Sequence, residues 1–144
     1  MQELVVEAVV DNLGKVTEFV TSALTELEVA PKIEMQLELV VEEVFVNIAS
    51  YAYEDKVGTA VIRRELVDGK ELFLTFIDEG VPYDPLLKEE PNTSLPIEER
   101  SVGGLGIFLV KKNVDTISYE YKDGKNCLHI KKNLFPSVNI IERG

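Results

Sequence analysis

At 144 residues, with 45% apolar and 28% charged residues, the chain has the size and composition of one globular domain. Its net charge of −11, from 26 acids against 15 bases, argues against nonspecific nucleic-acid binding, which needs clustered lysine and arginine. The single cysteine, Cys127, excludes an internal disulfide and a cysteine-rich metal site. The acidic N-terminus MQELVVEAVVDN is no signal peptide and no apolar run reaches membrane-spanning length, so a soluble cytoplasmic protein is expected.

In chain order, Leu4 to Val10 is short and β-branched and reads as a strand. Asp11-Asn12 offers a helix cap, and Val16, Phe19, Val20, Ala23, Leu24 and Leu27 then recur at helical spacing. Pro31 marks the first turn of a second helix, expected to run to about Ala49–Tyr53. Thr59 to Leu66 and Glu71 to Ile77 read as strands joined by an Asp68-Gly69 hairpin turn. Val81 to Val102 holds four of the six prolines and reads as a long irregular segment of the kind that forms functional lids. A helix from about Leu105 to Asn113 follows, then strands at about Thr116–Tyr121 and Cys127–Asn133 around Asp123-Gly124. The order implies a two-layer α/β sandwich over residues 1–135, with helices packed on one face of a mixed, mainly antiparallel sheet. The tail Pro136–Gly144 is expected to be partly disordered.

Three segments carry chemistry. In QLELVVEEVFVNIASYAY, Glu34, Glu38 and Glu42 form a solvated acidic stripe. Glu43 and Asn47 lie one turn apart on another face, among Val40, Val44, Ile48 and Tyr51. An acid and an amide on an apolar face need a reason, because burying them unpaired is costly. Either they are a polar pair at the core edge, or a carboxylate base beside an amide oxygen suited to Mg²⁺. In FIDEGVPYDP a strand ends at Asp78, which could accept a hydrogen bond from an exocyclic amine such as that of adenine, with Gly80 admitting the base; the plainer alternative is a strand and a turn. In SVGGLGIFLVKK, Gly103, Gly104 and Gly106 precede an apolar run, where positive φ, close approach and a helix N-terminus suit a phosphate. No GxxxxGK[ST] is present, so a P-loop is not supported. His129 alternates with Leu128 and Ile130 and is expected to face outward.

The order Glu43-x-x-x-Asn47, Asp78-x-Gly80, Gly103-Gly104-x-Gly106 resembles the nucleotide site of the GHKL superfamily, the histidine-kinase-like ATPases with the Bergerat fold. EEVFVNIASYAY, DEGVPYDP and ERSVGGLGIFLVKKNVDTISYEYKDGKN are similar to the anti-sigma factor serine/threonine kinase branch, and the likeness spans about Leu4 to Leu134. The resemblance implies ATP and Mg²⁺ as cofactors. By it, Asn47 coordinates the metal, Glu43 activates the attacking hydroxyl and Asp78 holds the adenine amine, with Gly80 beneath the ring. Gly104 and Gly106 bring backbone N–H groups to the phosphates, with Gly103 in the same glycine motif, and Arg100 either neutralises phosphate charge or is a solvated lid charge. Tyr51 stands where many members of the branch have histidine. The implied function is a Mg·ATP-dependent serine/threonine protein kinase that holds a sigma factor and phosphorylates a small anti-sigma antagonist protein. A homodimer is expected, with no direct nucleic-acid or membrane partner. The alternatives are a nucleotide-gated binding module without turnover and a sensor histidine kinase catalytic domain; the latter is weakened because no histidine-bearing dimerisation helix precedes the domain.

Overall fold

The computed structural model describes residues 1–54, 56–87 and 104–136. Five strands, β1 (Gln2–Glu7), β2 (Thr59–Val67), β3 (Glu71–Asp78), β4 (Thr116–Lys122) and β5 (Lys125–Asn133), form one sheet in the order β1-β2-β3-β5-β4. Three α-helices accompany them: α1 (Leu13–Thr21), α2 (Pro31–Tyr51) and α3 (Gly104–Asn113). Every strand pairing among the described residues is antiparallel, where a mixed, mainly antiparallel sheet is the sequence expectation. With hairpins joining β2 to β3 and β4 to β5, no crossover is needed to bring these neighbours together.

Alternation sets the layers. Ala60 and Ile62 of β2, Leu72, Leu74 and Phe76 of β3, and Leu128 and Ile130 of β5 are all buried on one face. They meet Val16 and Val20 of α1, Leu37, Val40, Val41, Val44 and Phe45 of α2, and Ile107 and Val110 of α3. Helix α2 packs between α1 and α3, which makes it the spine of the helical layer. Its length follows from the sequence: Pro31 fixes the first turn and the apolar positions repeat at helical spacing to Ile48. On the other sheet face Val5 and Phe73 are exposed, and His129 lies there as expected, bonded to Thr75 and Glu120.

Both Asp-Gly turns form as read from the sequence. Asp68 and Gly69, like Asp123 and Gly124, all have positive φ, which a type I′ turn requires at both central residues. Two local expectations are corrected. Strand β1 stops at Glu7 and does not reach Val10, because Val9 already begins the turn into a short 3-10 segment at Val10–Asn12. Asn12 precedes α1 without capping it; its side chain instead donates back to the Glu7 carbonyl at 2.9 Å.

Lys132 is a polar group inside the apolar layer, only 6% exposed. Its ammonium donates to Gln36 Oε1 (2.7 Å) and to the Asn113 carbonyl (2.6 Å), so it ties α2 to the C-terminus of α3. Burial pulls its pKa below the usual lysine value. No helix among the described residues is long and apolar enough to cross a membrane. Most of the segment read as a lid, residues 88–102, and most of the tail, residues 137–144, lie outside the described residues.

Candidate nucleotide site

The C-terminal half of α2, the end of β3 and the start of α3 enclose a cavity of about 530 Å³, within the range of small-molecule sites. Glu43, Asn47, Asp78 and Gly106 all line it, so three segments separated along the chain meet in one place. Phe76, Ile48, Ile107, Val110 and Leu128 give it an apolar wall. Tyr51 lines it too, with about half its surface exposed. Of the other residues singled out in the sequence, Arg100 and Gly103 lie outside the described residues, and Gly104 is the first residue of α3.

Two of the motif glycines, Gly80 and Gly106, have packing reasons. Neither has a positive φ; that conformation, expected of the glycine cluster, is found among the described glycines only at Gly69 and Gly124. A Cβ on Gly106 would lie 2.5 Å from Glu43 Oε2, so the glycine lets α3 close onto the carboxylate of α2. A Cβ on Gly80 would lie 2.6 Å from the Ala52 carbonyl carbon. This close approach lets the Val81 N–H bond the Ala52 carbonyl at 3.1 Å and ties the β3 exit to the end of α2.

Asp78, which lines the cavity, is 7% exposed. Its Oδ1 accepts the Gly80 N–H (2.9 Å) and the Asn126 side-chain amide (2.9 Å). Asn126 is equally buried, and its Nδ2 also donates to the Val81 carbonyl at 3.0 Å. Its Oδ1 accepts the Tyr83 N–H at 3.0 Å and the Tyr119 hydroxyl. Burial, offset in part by a backbone hydrogen bond with Tyr83, raises the Tyr119 pKa. Outside the lining, the Tyr53 hydroxyl donates to the Thr59 carbonyl (2.6 Å) and accepts the Glu79 N–H (2.7 Å), which fixes the backbone next to Asp78. Burial raises the Tyr53 pKa as well. Gly58 makes room for this ring, since any Cβ there would overlap it.

Sequence reasoning assigned no role to Asn126, Tyr119, Tyr53 or Gly58. Asn126 was findable: it occupies the inward stripe Asn126–Leu128–Ile130, where a polar side chain demands partners. The Tyr53–Gly58 pair carries no comparable signal, because a glycine before a strand is ordinary. Cys127 is a half-buried free thiol whose pKa burial pushes up, which makes it a poor nucleophile.

The donor set suits a hard cation only in part. No group of three or more histidine, cysteine, aspartate or glutamate side chains among the described residues could hold a metal ion. The Asn47 amide oxygen and the Glu43 carboxylate are hard ligands, and an Mg²⁺ ion bound there needs water or phosphate oxygens to complete its shell. The first-turn N–H groups of α3, beginning at Gly104, offer the partial positive charge that phosphates need.

Comparison with known proteins bears on the family and the fold. The serine/threonine-protein kinase BtrW of Bordetella bronchiseptica is 26% identical over 105 residues, 73% of this chain and 74% of that protein. The structure of the RsbU and RsbW domains of Rv1364c from Mycobacterium tuberculosis superposes with a TM-score of 0.61 at 12% identity, over 93% of this chain. This chain spans 33% of that one. The histidine kinase domain of a blue-light activated histidine kinase from Erythrobacter litoralis gives a TM-score of 0.57 at 19% identity, over 86% of this chain and 60% of that one. At such identities the two structures establish the fold alone, the α/β arrangement expected from the sequence. Residues 6–132 match the histidine kinase-like ATPase domain, and the chain belongs to that family of ATP-binding domains.

Proposed function

We propose that this chain is a Mg·ATP-dependent serine/threonine protein kinase acting as an anti-sigma factor, which phosphorylates a small antagonist protein and works as a homodimer. The observation that carries the reading is the meeting of Glu43, Asn47 and Asp78 in one cavity, with α3 closed onto Glu43 through Gly106. The named relative, a serine/threonine-protein kinase, supports it.

Each residue has a distinct task. Asp78 accepts the exocyclic amine of adenine, and the apolar wall of Phe76, Ile48 and Leu128 covers the ring. The Asn47 amide oxygen holds the metal. When bound, Mg²⁺ supplies charge neutralisation at the phosphate oxygens. The first-turn N–H groups of α3 hold the phosphate end. Glu43, one helical turn before Asn47, takes the proton from the incoming serine or threonine hydroxyl.

The test is transfer of labelled γ-phosphate to a purified antagonist partner, beside an independent ATP-binding curve. Glu43→Ala is expected to lower transfer by about 10²–10⁴-fold while changing ATP affinity far less. Retained transfer removes Glu43 from the chemistry. A wild-type protein that binds ATP and partner but never transfers phosphate is instead a nucleotide-gated binding module.

A further inference from the structure

The Asn126 side chain has five hydrogen bonds, one of them a long contact from Nδ2 to the Gly80 carbonyl (3.5 Å), and no freedom in how it makes them. Asp78 Oδ1 and the Val81 carbonyl only accept, so Nδ2 must face them. The Tyr83 N–H only donates, so Oδ1 must face it, and the Tyr119 hydroxyl fills the second lone pair. The amide is thereby saturated, and its orientation is set by groups from β3, β4 and the segment after β3. Through Nδ2 it holds one oxygen of Asp78, which the Gly80 N–H holds as well.

We infer that Asn126 is a positioning residue that makes the site selective for adenine over guanine. The inference rests on the adenine-nucleotide reading above and adds the basis of its selectivity. With Oδ1 occupied twice, Asp78 presents a single free acceptor, Oδ2, to the cavity. Adenine needs one acceptor there, for its 6-amine. Guanine offers two adjacent donors, N1–H and the 2-amine, and presents an oxygen where adenine has the amine. A carboxylate free to turn can grip both guanine donors; one pinned at Oδ1 cannot. Selectivity is a difference of two affinities, and a fixed acceptor works on both sides of it. The same amide holds the Val81 carbonyl and the Tyr83 N–H, so the carboxylate and the first residues after β3 move as one unit.

Competition binding with ATP and GTP against a fluorescent adenine nucleotide tests this in the wild-type protein, Asp78→Asn, Asn126→Leu and Tyr119→Phe. Asn126→Leu keeps the volume and removes the donor; it is expected to cut the ATP-to-GTP preference by about tenfold, mainly through lost ATP affinity. Tyr119→Phe removes only the hydroxyl on Asn126 Oδ1 and is expected to shift the preference the same way by about threefold. If Asn126→Leu does not fold, Tyr119→Phe decides. A general structural loss would weaken both nucleotides equally and leave the ratio unchanged. If the wild-type protein binds ATP and Asp78→Asn weakens it, yet the ratio is unchanged in both Asn126→Leu and Tyr119→Phe, the inference is overturned and the adenine site stands. If the wild-type protein binds no adenine nucleotide, both readings fall.

Discussion

Gly106→Ala separates the position of Glu43 from the stability of the fold. The added Cβ would lie 2.5 Å from Glu43 Oε2, but 3.5 Å from its Cδ and 3.8 Å from its Cβ. Only the carboxylate tip conflicts, and it falls short of ordinary contact by about 1 Å. The tip belongs to a flexible side chain, so the carboxylate turns aside and α3 stays in place. An off-rotamer side chain costs about 0.5–1.5 kcal/mol. Alanine is favoured over glycine inside a helix by about 0.8–1 kcal/mol, which offsets that cost. The net change in stability is therefore expected within about 1 kcal/mol of zero, a Tm shift of no more than about 4 °C. Displacing a catalytic group by 1 Å, however, costs about 10²-fold in rate. The assay is phosphoryl transfer from labelled Mg·ATP, alongside thermal unfolding. Gly14→Ala is the control: Gly14 is an exposed α1 residue with nothing within 4 Å of its added Cβ, and it should gain up to about 1 kcal/mol with activity unchanged. Undiminished transfer in Gly106→Ala, or a loss of several kcal/mol in stability, would refute the reasoning.

At Gly80 the neighbour is backbone and cannot move aside. Gly80→Ala is expected to cost about 2–3 kcal/mol, seen as a lower urea midpoint, and an unchanged midpoint would mean that the β3 exit is not packed against Ala52. The phenols of Tyr53 and Tyr119 both have raised pKa values, burial being the first cause for each. A folded-state pKa above the unfolded value means that the native protein keeps the proton longer. Their contribution to stability is thus complete below pH 10 and declines as pH rises through the folded values. Ultraviolet titration of the five tyrosines should show a late-titrating fraction that vanishes in Tyr53→Phe/Tyr119→Phe; a single transition at the ordinary phenol value would contradict it.

Local patterns made most of the fold legible. The 3.6-residue spacing after Pro31 gave α2, and the two Asp-Gly pairs gave both hairpins with their positive φ values. β1 overran in the sequence reading because Val9 and Val10 have strand propensity, and nothing local announces the 3-10 turn that takes them. The site was legible as residue types in order: Glu43, Asn47, Asp78 and Gly106 do share one cavity. What could not be read was how they are held. Asn126 reaches Asp78 only because the β3–β5 register pairs those two residues, 48 positions apart. Gly106 meets Glu43 only because α3 packs against α2. Such partners arise from tertiary packing, which no short window contains.

The central claim, that this cavity takes an adenine nucleotide through Asp78, is tested most directly by calorimetric titration of Mg·ATP into the wild-type protein and Asp78→Asn. A hydrogen bond to a buried charge is worth about 1.5–3 kcal/mol, so the variant should bind at least about tenfold more weakly with its fold intact. Equal affinity in the two proteins, or no binding of any adenine nucleotide by the wild type, would contradict the account.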